Sequence, residues 1–286
     1  MGYFSQFFCV SSRGNRVNED FAFATGDFGL LLDGASGLSG ERLVADSAYG
    51  TDAQWLSHTV GEDLAARLAV GVPAAAALEG AVGRARGTLL AQHPGEDRAQ
   101  LLDRAPSATL LVASVAGDML ELASLGDSRL VVIKRDGSAF ELYDNSVSLL
   151  DQGVVAAMTE ASRGRNLSAA QKRSLVNGQV KANRDKKNTP GGYWILDPFG
   201  AGLAHAMTAS IPLAEVDCVC GMSDGFYAAF DCYGLADQGD FLRTATETSV
   251  RELVDKMRAV EDSDPDLDRY PRLKKSDDAT IFVLRR

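Results

Sequence analysis

Residues 30–37 read LLLDGASG. Three leucines run into Asp33, and the chain then turns almost wholly to small residues. A short apolar run that stops at a turn signal reads as a buried strand. The pattern predicts a strand over 28–32 that ends by presenting a carboxylate. One Asp-Gly pair after a strand is an ordinary turn, but this one has company. VCGMSDGF brings Asp224 and Gly225 to the end of a second apolar run, and KKSDDATIFVL sets Asp277 and Asp278 at the entry of a third. NRVNEDFAF places Glu19 and Asp20 before another strand, and SLGDSRLVVI puts Asp127 in a turn between two.

Carboxylates are costly to bury near one another. Strands of one sheet that each end in Asp would concentrate negative charge at one rim. Separation, protonation or a bound cation resolves it. Hard divalent ions such as Mg²⁺ and Mn²⁺ take oxygen ligands. A glycine after the aspartate lets a backbone carbonyl approach the same ion, because no Cβ intervenes. Gly34 and Gly225 both stand in that position.

Outward from these stretches, strands are predicted over 4–10, 21–24, 107–115, 129–134, 138–143, 193–196, 205–210, 214–221 and 279–284. Gly117-Asp118 marks a hairpin. Helical periodicity covers 41–58, 74–92 and about 240–260. Strands thus come in antiparallel meanders with helix pairs between them, which is α+β and not the βαβ alternation of a parallel sheet. No repeat or composition shift divides the chain, so one domain over 1–286 is expected. Residues 146–188 differ in character: polar, helix-prone and basic, and closed by the breaker NTPGG.

The net charge of −10 argues against a nucleic-acid or anionic-membrane surface. No signal peptide opens the chain, and Gln6 stands where a myristoylation motif needs Ser or Thr. The longest nearly uncharged stretch, 68–78, contains Gly71 and Pro73 and is too short to span a bilayer. The four cysteines lack metal-site spacing and suit a reducing compartment. Cys218 and Cys220 read as small buried hydrophobes. A cytoplasmic monomer is expected.

The ordered set RVNED, LLLDGASG, SATLLVASV, LGDSR, MSDG and SDDATIFVL resembles the metal-dependent serine/threonine protein phosphatases of type 2C. The resemblance runs from Arg13 to Leu284, and NTPGGYWILDPFGAGLAHA is similar to bacterial members. It implies a four-layer α-β-β-α sandwich: two antiparallel sheets face to face, flanked by helix pairs, with a variable flap near 146–190. It implies two Mg²⁺ or Mn²⁺ ions at one edge of the sandwich. Asp33 would bridge them and the Gly34 carbonyl would bind one. Asp224 and Asp277 would complete the first, and Glu19 and Asp20 would serve the second, directly or through water. Asp127 with Asp224 would hold a weaker third ion. A water activated between the ions would hydrolyse phosphoserine or phosphothreonine in a protein substrate. Three histidines are too few for a His-rich dimetal site, and no Cys precedes a Gly-rich loop ending in Arg.

The chain departs from that pattern in four places. Asn15 stands where the family keeps its phosphate-binding arginine, so Arg16, or else Arg13, is the candidate. Ala35 replaces a common histidine that is a proposed proton donor, with His205 as a conceivable substitute. Ala228 replaces an aspartate of the third-ion site. Asp278 stands where Asn is common, and would either tighten cation binding or face solvent. Two other readings stay open: a catalytically weak phosphatase-like binding module, and a small-molecule phosphomonoesterase. The basic 146–188 segment is either a solvated surface or a recruiter of acidic phosphopeptides.

Overall fold

Two five-stranded antiparallel sheets form the centre of the computed structural model, which describes residues 2–35, 42–45 and 47–286. One sheet runs β1 (Gln6–Ser12), β12 (Ala279–Arg285), β11 (Val216–Met222), β8 (Arg129–Lys134), β9 (Ala139–Leu142). The other runs β10 (Met207–Pro212), β7 (Met119–Leu125), β6 (Leu110–Ala116), β3 (Phe28–Leu32), β2 (Phe21–Ala24). A short ladder joins β4 (Gly34–Ala35) to β5 (Ser107–Ala108).

Alternation along the strands sets the layers. Leu31 points between the sheets, where it shares a core with Leu111, Val219 and Phe282. Leu30 and Leu32 point the other way, into a core with Val60 and Leu64 of α1 (Asp52–Ala69) and Ala77 and Ala81 of α2 (Ala74–Gln92). Both faces of β3 are covered, which is why it reads as an unbroken apolar run. On β11, Val219 faces inward. Cys218 and Cys220 face Phe226 of α7 (Asp224–Asp231), Leu242 of α8 (Gln238–Thr244) and Leu253 of α9 (Glu247–Ser263). The four-layer α+β sandwich is therefore as expected, except that three helices rather than a pair cover this sheet. Between the sheets, the Phe282 ring fills the space that side chains on Gly29 and Gly221 would need.

Several local expectations are corrected. A helix was expected from Glu41, which lies outside the described residues. α1 starts only at Asp52, capped by Thr51. Asp52 accepts the amides of Leu43 and Val44 (2.7 and 3.1 Å), folding that stretch back as a loop. The strand expected over 193–196 is no more than isolated bridges at Tyr193 and Leu196. The Asn188 side chain takes the Ile195 amide (2.8 Å) and so holds the segment as a loop. His205 ends a 3₁₀ turn before β10. One expected helix near 240–260 is two, because the capping box of Thr246 and Ser249 starts α9 afresh. MSDGF is not merely a turn: Ser223 is the cap of α7. α3 (Arg98–Arg104) was not anticipated.

The basic segment forms α4 (Ser146–Ser162), α5 (Ala169–Leu175) and α6 (Asn177–Arg184) around a small core of Val154, Met158 and Val176. Among the described residues, no helix is long and apolar enough to cross a membrane.

Truncating Phe282 would leave a cavity between the sheets that Gly29 and Gly221 cannot fill. Phe282→Ala is expected to lower the unfolding free energy by about 3–5 kcal/mol, measured by urea denaturation.

Candidate active site

Strand register gathers the aspartates at one edge. Phe21 of β2 pairs with Leu32 of β3, so Asp20 and Asp33 leave that sheet at the same end. In the other sheet Met222 of β11 pairs with Ile281 of β12 and with Arg129 of β8. Asp224, Asp277 and Asp127 therefore also leave at a common end. The two ends meet: Asp33 lies within electrostatic reach of Asp20, Asp224 and Asp277. Two close approaches permit this crowding. A Cβ on Gly34 would lie 2.7 Å from the Glu19 carbonyl oxygen and 2.9 Å from that of Ala53. One on Gly225 would lie 2.0 Å from the Asp278 carbonyl oxygen. Neither position has room for a side chain.

The crowding has an electrostatic cost. Burial, then the charges of Asp20, Asp224 and Asp277, hold the Asp33 carboxyl well above the usual carboxylate range. Burial and the neighbouring Asp278, Asp277 and Asp224 push Asp20 up to about 8. Both of its carboxylate oxygens are buried without a hydrogen-bond partner, and the nearby Thr280 hydroxyl is engaged with Ser11 (2.6 Å). Asp127 is also pushed up to about 8, by burial and by Asp224 and Asp151, with Ser148 as a distant donor (3.4 Å). Asp224 rises to about 6. Its side chain is open to the cleft, yet it is walled by protein and faces Asp277, so burial still leads the shift.

One cation from the chain itself reaches this rim. Lys274 Nζ donates to both oxygens of Asp277 (2.8 and 2.9 Å). Burial opposes its charge, but Asp277, Asp224 and Asp33 outweigh it and raise its pKa. Asp278 does not face solvent. It is buried and accepts the amides of Gly14 and Glu19, each at 2.7 Å, so it clamps the loop between β1 and β2. Glu19 is further placed by Ser57, whose hydroxyl donates to its carbonyl (2.5 Å).

The rim opens into a cleft of about 830 Å³, lined by Asp33, Gly34, Asp127, Asp224 and Asp277 and walled by the α4–α6 segment. Ala35 and Ala228 line it, and none of the three histidines does. His205 stacks on Trp194 with ring centroids 3.4 Å apart. Arg13 and Arg16 are exposed and are not among the lining residues. Arg129, Arg163, Arg173, Arg184, Asp151, Tyr193 and Lys274 are. Of these, Arg129 ends the GDSR stretch and Lys274 stands three residues before Asp277, so both were within sight of the motifs. Asp151 and Tyr193 had no local signal.

A family model described as protein phosphatase 2C matches residues 12–264. The chain belongs to the protein phosphatase 2C family. Its fold is similar to that of the Ser-Thr phosphatase MsPP from Mycobacterium smegmatis, solved with cacodylate, at 18% identity and a TM-score of 0.56 over 99% of this chain and 98% of that one. It is similar to the Mycobacterium tuberculosis serine/threonine phosphatase PstP/Ppp, at 17% identity and a TM-score of 0.52 over 98% and 97%. The catalytic domain of a PstP solved with two manganese ions gives 16% identity and a TM-score of 0.54 over 98% and 97%. No curated protein matches the chain.

The phosphatase's acid rim suits a hard divalent cation. Its donors are all oxygen, two of them are the orphaned oxygens of Asp20, and an ammonium already lies against Asp277. Among the described residues no three side chains stand ready-assembled as a metal cage.

Two outcomes are expected. These carboxyl groups hold more protons folded than unfolded, so their stabilisation is complete below the ordinary aspartate range and is lost as pH rises through about 6 for Asp224 and about 8 for Asp20 and Asp127. With chelator present, the melting temperature should fall by several degrees between about pH 5 and about pH 8.5, read by scanning fluorimetry. Lys274→Met should lower that chelated melting temperature at pH 8 and also tighten Mn²⁺ binding by calorimetry, because the tethered ammonium competes for Asp277. Unchanged Mn²⁺ affinity would remove the competition.

Proposed function

We propose that this chain is a divalent-metal-dependent phosphatase acting on phosphoserine or phosphothreonine in proteins. The observation that carries the reading is the convergence of Asp20, Asp33, Asp224 and Asp277 from the ends of four strands, within a member of the protein phosphatase 2C family. Two Mg²⁺ or Mn²⁺ ions fit this charge. Asp33, which is near Asp20, Asp224 and Asp277, would serve both sets, and the Gly34 carbonyl would serve one. Asp224 and Asp277 complete one set, and Glu19 and Asp20 serve the other. Asp127 with Asp224 is assigned a weaker third ion. All these residues belong to one domain, since the site draws on both sheets.

When bound, such ions lower the pKa of a water toward neutrality and neutralise phosphoryl charge. The chain's part is positioning. Asp278 clamps the loop that carries Glu19 and Asp20. That loop lies against Asp277, as Gly14 packs directly on its main chain. Arg16, on the same loop, is assigned to the phosphoryl oxygens, where a guanidinium fork matches the ligand. No histidine lines the cleft, so the leaving-group proton would come from water or from another acid of the cleft.

Hydrolysis of an aryl phosphate is expected with Mn²⁺ and not with EDTA. Asp33→Asn and Asp224→Asn should each lower kcat/KM by about 100-fold or more, and Arg16→Ala should raise KM. Activity that survives both chelation and the aspartate changes would sink the mechanism. Ala35 in the cleft supports a second reading, a phosphatase-like binding module. Mn²⁺ binding without any turnover would select it. A phosphopeptide panel then separates protein from small-molecule substrates.

A further inference from the structure

Five arginines line the cleft, and they are not equivalent. Arg272 is paired with Asp264 at 2.6 Å. Arg129 is sandwiched between the rings of Tyr143 and Tyr227 (3.8 and 3.7 Å) and reaches Glu141 at 3.6 Å. Arg163 is paired with Glu160 at 2.6 Å. Arg173 has no such partner: its Nη1 is buried with no hydrogen bond, and its guanidinium makes no ion pair among the described residues. Arg184 faces it across the same wall, next to Tyr193. Asp151 is the acid that faces both arginines, and it also faces Asp277.

A guanidinium has donors and no acceptor, and leaving it buried without an acceptor is expensive. Two guanidinium groups that face each other add repulsion. Their setting is nonetheless built. The neighbouring Lys172 is buried and donates to the Asp266 carbonyl (2.6 Å) and to Asp268, which docks α5 on the loop leading to Asp277. Arg173 lines the cleft, and Asp151 is near both it and Asp277. A cleft of about 830 Å³ holds more than one side chain.

We propose that Arg173 and Arg184 form an anion subsite that takes the carboxylate or second phosphate of a residue flanking the phosphorylated one. The subsite rests on the phosphatase reading given above. It recognises a negative neighbour and leaves the reacting phosphoryl group to the acid rim.

The test uses the full chain with Mn²⁺ and three phosphothreonine peptides that carry Ala, Glu or phosphoserine at one flanking position. The ratio of kcat/KM, acidic to Ala, is measured for each protein. The wild type should favour an acidic peptide by about tenfold, the scale of one charge-assisted hydrogen-bonded pair. Arg173→Met and Arg184→Met should bring the ratio near one, Arg173→Lys should retain part of it, and Arg86→Met on exposed α2 should leave it alone. Whether Glu or phosphoserine is preferred identifies the source of the anion. No preference in the wild type, or a preference that survives both Met changes, overturns the subsite. If none of the peptides is hydrolysed, the phosphatase reading fails instead. Anisotropy with the unphosphorylated Glu and Ala peptides then decides the subsite alone, by whether the Glu peptide binds more tightly and loses that advantage in the Met variants.

Discussion

Repulsion between carboxylates delivered to one end of a double sheet is the constraint around which this molecule is arranged. Asp33, Asp20, Asp224 and Asp277 cannot all be charged, close and dry without a counter-charge. The fold brings them together regardless, because β3 and β11 are buried on both faces and their registers are set by the core. Packing energy thus holds acids where electrostatics would separate them. The result is a set of carboxyl groups with raised pKa values and two orphaned oxygens on Asp20. Lys274 is the chain's partial answer, and a divalent cation is the fuller one.

The loops that carry the acids are fastened by polar networks rather than by the core. α9 serves as the anchor. Arg258 donates to the Ser12 carbonyl (2.9 Å) and to Glu261 (2.8 Å), and Glu261 also accepts from Tyr233 (3.0 Å). Asp264 accepts the amides of Asp268, Arg269 and Tyr270 and pairs with Arg272 at 2.6 Å. The acidic, Pro-containing stretch over 264–272 is therefore an ordered strap. It ends two residues before Lys274, and Lys172 ties the basic helices to it. The metal rim and the cleft's outer wall share one support.

Legibility followed the range of the forces. Phe28–Leu32 was readable because an apolar run bounded by Asp-Gly is a local pattern, and the strand formed with those bounds. The helix at Ala74–Gln92 was readable for the same reason. The start of α1 was not, because it depends on Asp52 reaching back to Leu43 and Val44. From the sequence, Asp278 is an extra acid that would either tighten cation binding or face solvent. Its two amide partners lie on a loop more than 250 residues away in sequence, and no local signal announces such a pairing. Arg173 reads like any other charge in a basic helix; Arg163 lines the cleft too, but it is paired with Glu160, whereas the buried Nη1 of Arg173 has no hydrogen-bond partner.

Taken alone, the sequence determined the chemistry on offer: seven carboxylates at five strand ends, glycines beside two of them, few histidines and a separate basic segment. It also pointed to the α+β class, since apolar runs and helical periodicity are properties of neighbouring residues, while the four layers were what the family resemblance implied. The tertiary structure alone decided which acids meet, which one becomes a clamp and which arginine keeps a buried nitrogen without a hydrogen bond. Those outcomes depend on register and on contacts between segments far apart in the chain, where a shift of one residue would turn each side chain to the opposite face.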